Sequence, residues 1–233
     1  MDNIYTDVRN NIHDTAIIHP SVIIGTGNTI GAYTIIENGV IIGNDNYIGS
    51  NTVIGGRPEI YDTKDDYKNQ VIIGNNNFIN HQVTIDSSSI NTTIIGNNCM
   101  LMSKTHMGHD SILKDNVILS TGSKIGGFTV LHNHVNVGLN AVIHQRLVIG
   151  FNVMIGMNVM IGMNAAVTKS IPPHLVVGGI PAKFIKYNTY GVEKKGLIDS
   201  NTEIFQKIND DISMFLNNLK TFGINENKII IYE

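Results

Sequence analysis

The stretch Ile95-Gly-Asn-Asn-Cys-Met-Leu101-Met-Ser-Lys-Thr-His-Met107-Gly-His-Asp-Ser-Ile-Leu113 opens a run in which every sixth residue is aliphatic or Met. After Leu113 come Leu119, Ile125, Leu131, Val137, Ile143, Ile149, Ile155, Ile161 and Val167. A helix repeats its apolar face every 3.6 residues and a plain strand every 2, so neither requires a strict sixfold frame. A chain wound into a three-sided prism does. Each side is a short strand of about six residues, three sides close one coil, and the inward residue of each side stacks on its counterparts. The spacing therefore predicts a parallel β-helix of hexapeptide repeats.

Working back toward the N-terminus, the same frame holds from Ile18 through Ile24, Ile30, Ile36, Ile42 and Ile48 to Ile54. Gly follows the inward residue at 25, 31, 43, 49 and 55, where a corner can use its freedom in φ. Asn-rich corners such as Gly43-Asn-Asp-Asn and Gly74-Asn-Asn-Asn suit a left-handed residue. The frame then skips from Ile54 to Ile73, which implies a polar insertion projecting as a loop at 56–70, and a second, four-residue insertion lies near Ser87-Ser-Ser-Ile-Asn. Beyond Val167, Ser170-Ile-Pro-Pro-His and Val177-Gly-Gly-Ile-Pro-Ala-Lys mark the chain leaving the prism. Ser200-Asn-Thr-Glu203 has capping-box form. The helical spacing of Ile204, Ile208, Ile212, Phe215, Leu216 and Leu219 predicts one amphipathic helix, with an apolar tail at Ile229-Ile-Ile-Tyr. The expected organisation is a β-helix domain over 1–185, carrying the loop 56–70, and a helical extension over 186–233.

Composition narrows the partners. A formal net charge of −3 and 15% charged residues give no basic surface for nucleic acid. The single cysteine, Cys99, rules out an internal disulfide. No apolar run reaches membrane-span length and the first residues do not form a signal peptide, so a cytoplasmic chain is expected.

The nine histidines hold the candidate chemistry. His13, His19 and His174 lack evident partners and read as surface residues, and His81 has no clear claim. His106-Met-Gly-His109-Asp110 is different. In an unbroken frame, residues eighteen apart stack in adjacent coils, which puts Gly127 one coil above His109 and His144 two coils above, less one residue. At roughly 4.8 Å per coil the two imidazoles stand roughly 10 Å apart, with Gly126-Gly127 between them as a slot free of side chains. The same stacking puts Lys124 above His106 and Arg146 two coils above Asp110. His132-Asn-His134 falls on another side of the prism and can meet the slot only across a subunit boundary.

These repeats and motifs resemble the left-handed β-helix acyltransferases, which form homotrimers with active sites between subunits. Within that family the chain is most similar, over about residues 15–200, to the UDP-N-acetylglucosamine acyltransferases of lipid A biosynthesis and to N-acyltransferases of nucleotide-linked amino sugars. The resemblance implies the left-handed winding. It makes His109 the general base, Asp110 its partner, Gly127 the donor of an oxyanion N–H, and His106, His144, Gln145 and His134 substrate contacts. A free histidine titrates near about 6.5, which suits base catalysis at neutral pH. No Ser or Cys matches a nucleophile motif, so direct transfer without an acyl-enzyme is implied. Two departures from the lipid A pattern stand out. Phe128 replaces a histidine, and the exit segment Gly178-Gly179-Ile-Pro-Ala-Lys183 looks like that of enzymes using coenzyme A; the stretch after Gly191 is also shorter. They favour an acyl-CoA-dependent N-acyltransferase of a nucleotide-linked amino sugar, with Gly178, Gly179 and Lys183 at the cofactor. The alternative is an acyl-carrier-protein-dependent UDP-N-acetylglucosamine O-acyltransferase. His81, His106 and His109 do not match the zinc pattern of the γ-class carbonic anhydrases that share the fold, so no metal is expected.

Overall fold

In the computed structural model, residues 9–61, 70–150, 153–155, 164–189, 201–221 and 226–230 are described. They form a parallel β-solenoid with one C-terminal helix. Most strands are two residues long and pair with the strand one coil away, giving three sheets of ten, eight and seven strands. The frame residues point inward, and Ile95, Leu101, Met107, Leu113, Leu119, Ile125, Leu131, Val137, Ile143, Ile149 and Val167 are all at most 1% exposed. Each buried aliphatic contributes about 1.5–3 kcal/mol, so the stacked column is the core. Ile161 lies outside the described residues, as do residues 62–69 of the loop, Ser200 and Gly223.

Register fixes what stacks on what. Uninterrupted coils pair residues eighteen apart, as in His106↔Lys124 and Lys124↔Val142. Ile42 pairs with Ile73 and Ile73 with Ile95, offsets that carry the thirteen- and four-residue insertions expected from the frame. The top of the solenoid differs from expectation. Ile143 pairs with Val167, six residues more than one coil, although the sixfold frame runs through without a break. An inserted hexapeptide preserves the phase and is therefore invisible to it. Nor does the chain leave the prism at Pro172-Pro173. Leu175–Gly178 adds a further parallel strand on Met154–Ile155, because Leu175, Val176 and Val177 are buried, and Lys183–Tyr187 returns antiparallel along it.

The glycines after inward residues serve a different purpose from the one expected. Of the five, only Gly55 has positive φ. The others lie against the next coil: a methyl on Gly43 would sit 2.6 Å from Gly74 O, and one on Gly49 would sit 2.8 Å from His81 N. The left-handed positions come two residues later, at Asp45, Asn51 and Asn76 among others, where Asn and Asp are least penalised.

Helix Asn201–Thr221 turns Ile204, Ile208, Ile212 and Leu219 inward, and the first three join the solenoid core. Ile229 forms a parallel bridge with Ser170. His174, expected at the surface, is buried at 2% exposure, and its Nε2 lies 2.9 Å from Asp211 Oδ2 on the helix. Lys207 Nζ, one turn earlier, donates to Asp211 Oδ1 at 2.8 Å. No described helix is long and apolar enough to cross a membrane.

Candidate active site

Every strand of the second sheet presents its outward residues along one column. Thr84–Asp86, His106–Met107, Lys124–Ile125 and Val142–Ile143 are successive members. Just past the inward residue, Gly108 stacks beneath Gly126, whose own methyl would meet Gln145 N at 2.6 Å. The next position reads His109, Gly127, Gln145. A methyl on Gly127 would lie 2.7 Å from both Cε1 and Nε2 of His109, so the imidazole lies over the backbone of Gly127 and requires glycine there. The slot expected from the period is present.

The backbone N–H at this point of a coil runs toward the coil above. On the third sheet a side chain of that coil caps it: Asn44 N donates to Asn75 Oδ1 at 2.7 Å, Asn75 N to Asn97 Oδ1 at 2.9 Å, and Asn97 N to Asp115 Oδ1 at 2.7 Å. Gly127 N has no such acceptor among the described residues. A buried N–H left without a partner costs about 1–3 kcal/mol, and a developing oxyanion bound there would offset that cost.

His109 is 7% exposed, and its Nδ1 lies 2.6 Å from Asp110 Oδ2. Asp110 occupies the left-handed position of its corner, at φ 59°. Its carboxylate is fully buried and also receives Ser89 N at 3.1 Å, Ser89 Oγ at 2.5 Å, Ile90 N at 2.8 Å and Asn91 N at 2.5 Å. Burial pushes the carboxyl up, but the bonds from Ser89, His109, Ile90 and Asn91 outweigh it and hold the group below the usual carboxylate range. The four-residue insertion at Ser87-Ser-Ser-Ile-Asn therefore builds an N–H cradle for the carboxylate beside His109. Its length was legible in the frame, but its role was not.

Phe128, directly above Asp110 in the column, meets the His109 ring edge-on at 5.1 Å, and the Arg146 guanidinium lies 4.2 Å over Phe128. Phe128 thus walls the imidazole on one side. His106 is half-buried, with Nδ1 2.8 Å from Thr84 Oγ1 and Nε2 3.8 Å from Asp86 Oδ2. Burial is the main cause holding His106 below the ordinary histidine value; Glu59 acts against it, while Lys124 and His109 add to it. Asp86 is the further site residue missed in the sequence. Burial first and the Glu59 charge second push its carboxyl up to about 7, against the Glu59 backbone N–H, which acts the other way.

Not every candidate converges. His144 and Gln145 are exposed on the coil above Gly126 and Gly127, and His144 Nδ1 is 3.1 Å from Gln145 O. His134 is exposed on another corner, where its N donates to Asp115 O. Gly178, Gly179 and Lys183 belong to the terminal hairpin; Gly178 pairs with Lys183, and Gly179 O accepts from Ala166 N, three coils above His106. His81 Nδ1 accepts from Ser50 N at 2.9 Å and caps a corner, and His81, His106 and His109 form no ligand set among the described residues.

The model of the bacterial transferase hexapeptide family, in six repeats, matches residues 21–56 and 92–127. An acyl-[acyl-carrier-protein]–UDP-N-acetylglucosamine O-acyltransferase from Aliarcobacter butzleri is 36% identical over 208 residues, covering 80% of this chain and 77% of that protein. Proteins of the same name from Anaeromyxobacter sp. and Nautilia profundicola match at 28% and 33%, and the chain spans only 44% and 42% of their lengths. Among solved structures, LpxA of Bacteroides fragilis, a UDP-N-acetylglucosamine acyltransferase, superposes with a TM-score of 0.74 at 29% identity, covering 84% of this chain and 82% of that one. LpxA of Acinetobacter baumannii does so at 0.66 and 27%, covering 86% and 90%.

Proposed function

We propose, from the premise that this chain belongs to the UDP-N-acetylglucosamine O-acyltransferase family, that it transfers an acyl group from a carrier-protein thioester to a hydroxyl of a UDP-linked N-acetylglucosamine. The observation that carries this reading is the His109–Asp110 pair set over Gly127, whose N–H has no partner among the described residues. With Nδ1 engaged by Asp110, His109 has Nε2 available to take the hydroxyl proton. The sugar oxygen bonds to the thioester carbon, and the oxyanion that develops there finds the Gly127 N–H. The C–S bond then breaks, and the proton on Nε2 passes to the thiolate. Asp110, ionised by its cradle, stabilises the imidazolium formed in between.

His106, His144 and Gln145 border the slot and are the proposed sugar and donor contacts. His134 has a place in this scheme only as a contribution from a neighbouring subunit of a homotrimer. The relatives' carrier-protein donor is favoured over acyl-CoA, because the Gly178–Lys183 segment is taken up in the terminal hairpin. Acyl transfer to an amino sugar remains the second reading, favoured by Phe128, an apolar wall beside the base.

The purified protein, incubated with a hydroxyacyl carrier protein and UDP-N-acetylglucosamine, is expected to release free thiol, and His109→Ala to stop the release. Thiol release only with acetyl-CoA and a UDP- or dTDP-linked amino sugar moves the assignment to N-acyl transfer. Silence with both donor systems removes the proposal.

A further inference from the structure

We infer that Glu59, Asp86 and His106 form a binding site for a divalent transition-metal ion of the zinc or manganese class at the lower edge of the slot. The three residues come from separate segments: the start of the 56–70 insertion, the strand Thr84–Asp86 and the strand His106–Met107 above it. One ligating atom from each lies within 4.8 Å of the others.

A second observation is independent of this clustering. Asp86 Oδ2 is buried, has no hydrogen-bond partner among the described residues, and faces His106 Nε2 at 3.8 Å. The Asp86 side chain is only 9% exposed. A buried carboxylate oxygen without a donor is costly and rare, and a second carboxylate, Glu59, makes the placement worse rather than better. The Glu59 backbone N–H donates to the Asp86 carboxyl, Oδ2 is the oxygen left without a donor among the described residues, and a dication between the groups offsets the repulsion between the two carboxylates.

The imidazole is prepared for the same task. A bond in which His106 Nδ1 donates to Thr84 Oγ1 leaves the Nε2 lone pair directed at Asp86. That outer partner is the usual arrangement for a metal-binding histidine. The nearby cation, Lys124, is stacked above His106 but directs Nζ to Gly122 O at 3.0 Å.

At bond lengths near about 2.1 Å the ligand atoms of a tetrahedral ion stand about 3.4 Å apart. The Asp86–His106 pair, at 3.8 Å, is close to that spacing, and Glu59, being exposed, closes the remaining distance by a rotamer change. One nitrogen and two oxygens suit zinc or manganese better than calcium. Three protein ligands leave a position open toward the slot. No sequence pattern points to this site, because Glu59 and Asp86 belong to no metal-binding spacing.

Binding is read without any substrate, so its failure leaves the acyltransferase reading untouched. Chelator-stripped protein, dialysed against Zn²⁺ or Mn²⁺ and analysed for bound metal, is expected to take up one ion per chain with a raised thermal midpoint. Asp86→Asn, close in shape, should weaken binding by about 100-fold or more, and Glu59→Gln, at an exposed position, by about 10-fold. His13→Ala, in an exposed early coil, should bind as the parent does. Equal affinity in the parent and both carboxylate variants, each shown folded by circular dichroism, overturns the proposal in favour of adventitious binding to surface histidines. Failure of the parent to bind either ion overturns it as well.

Discussion

His109–Asp110 and His174–Asp211 are chemically the same object, a buried imidazole against a buried carboxylate, at 2.6 and 2.9 Å. They differ in which nitrogen meets the acid and in what stands at the other end. In the first pair Nδ1 takes the carboxylate and Nε2 lies over Gly127, where no side chain intrudes. In the second, Nε2 itself meets Asp211, Lys207 holds the other carboxylate oxygen, and the pair joins the end of the solenoid to the C-terminal helix. A His–Asp pair becomes a reaction centre only where the fold keeps the distal nitrogen accessible. Elsewhere it is a fastening between two elements.

The largest effect expected from this contrast is on turnover. His109→Ala should lower the rate by about 10²–10⁴-fold and leave the thermal midpoint near that of the parent. A variant that unfolds instead would make the first pair structural too. His174→Ala should do the reverse. Removing the imidazole leaves Asp211 buried with Lys207 alone, at a cost of about 3 kcal/mol in urea unfolding. Its activity per folded chain should stay within about twofold; a loss comparable to that of His109→Ala would erase the distinction.

Asp110→Asn tests both sides at once. It sets an amide against the Ser89, Ile90 and Asn91 donors, so stability should fall by about 2 kcal/mol and turnover by about 10–100-fold. The pH dependence of the stability loss follows from the lowered carboxyl of Asp110. The folded state holds that proton less tightly than the unfolded chain, whose carboxyl titrates near about 3.9. The stabilisation is therefore fully present above about pH 5 and is lost as pH falls through the folded value. The gap between parent and variant, followed by denaturant titration at several pH values, should narrow below about pH 4. A gap that widens there would contradict the cradle. The smallest effect belongs to Lys207→Ala. Its side chain is 44% exposed, and a solvent-screened pair contributes at most about 1 kcal/mol.

What could be read in advance differs between the two pairs for a physical reason. His109 and Asp110 lie inside the sixfold frame, so stacking at eighteen residues places Gly127 above His109 from the period alone. His174 pairs across 37 residues with a helix that obeys a 3.6-residue period, and no shared frame relates the two. The cradle around Asp110 had half a signal: a four-residue gap in the period marks where an insertion falls, but not that its N–H groups converge on one carboxylate. Asp86 had none, since burial and the lack of a donor are properties of its surroundings. Phe128 looked like a lost contact and is a wall against the His109 ring.

The solenoid, its inward column and the stacking of His109 on Gly127 are written in the residue order, because a one-dimensional period dictates every neighbour one coil away. The lowered carboxyl of Asp110, the orphaned oxygen of Asp86 and the burial of His174 arise from packing in three dimensions. So does the whole hexapeptide inserted between Ile143 and Val167. These depend on segments that leave the period or, in the last case, add a full unit to it, and a repeat cannot report either.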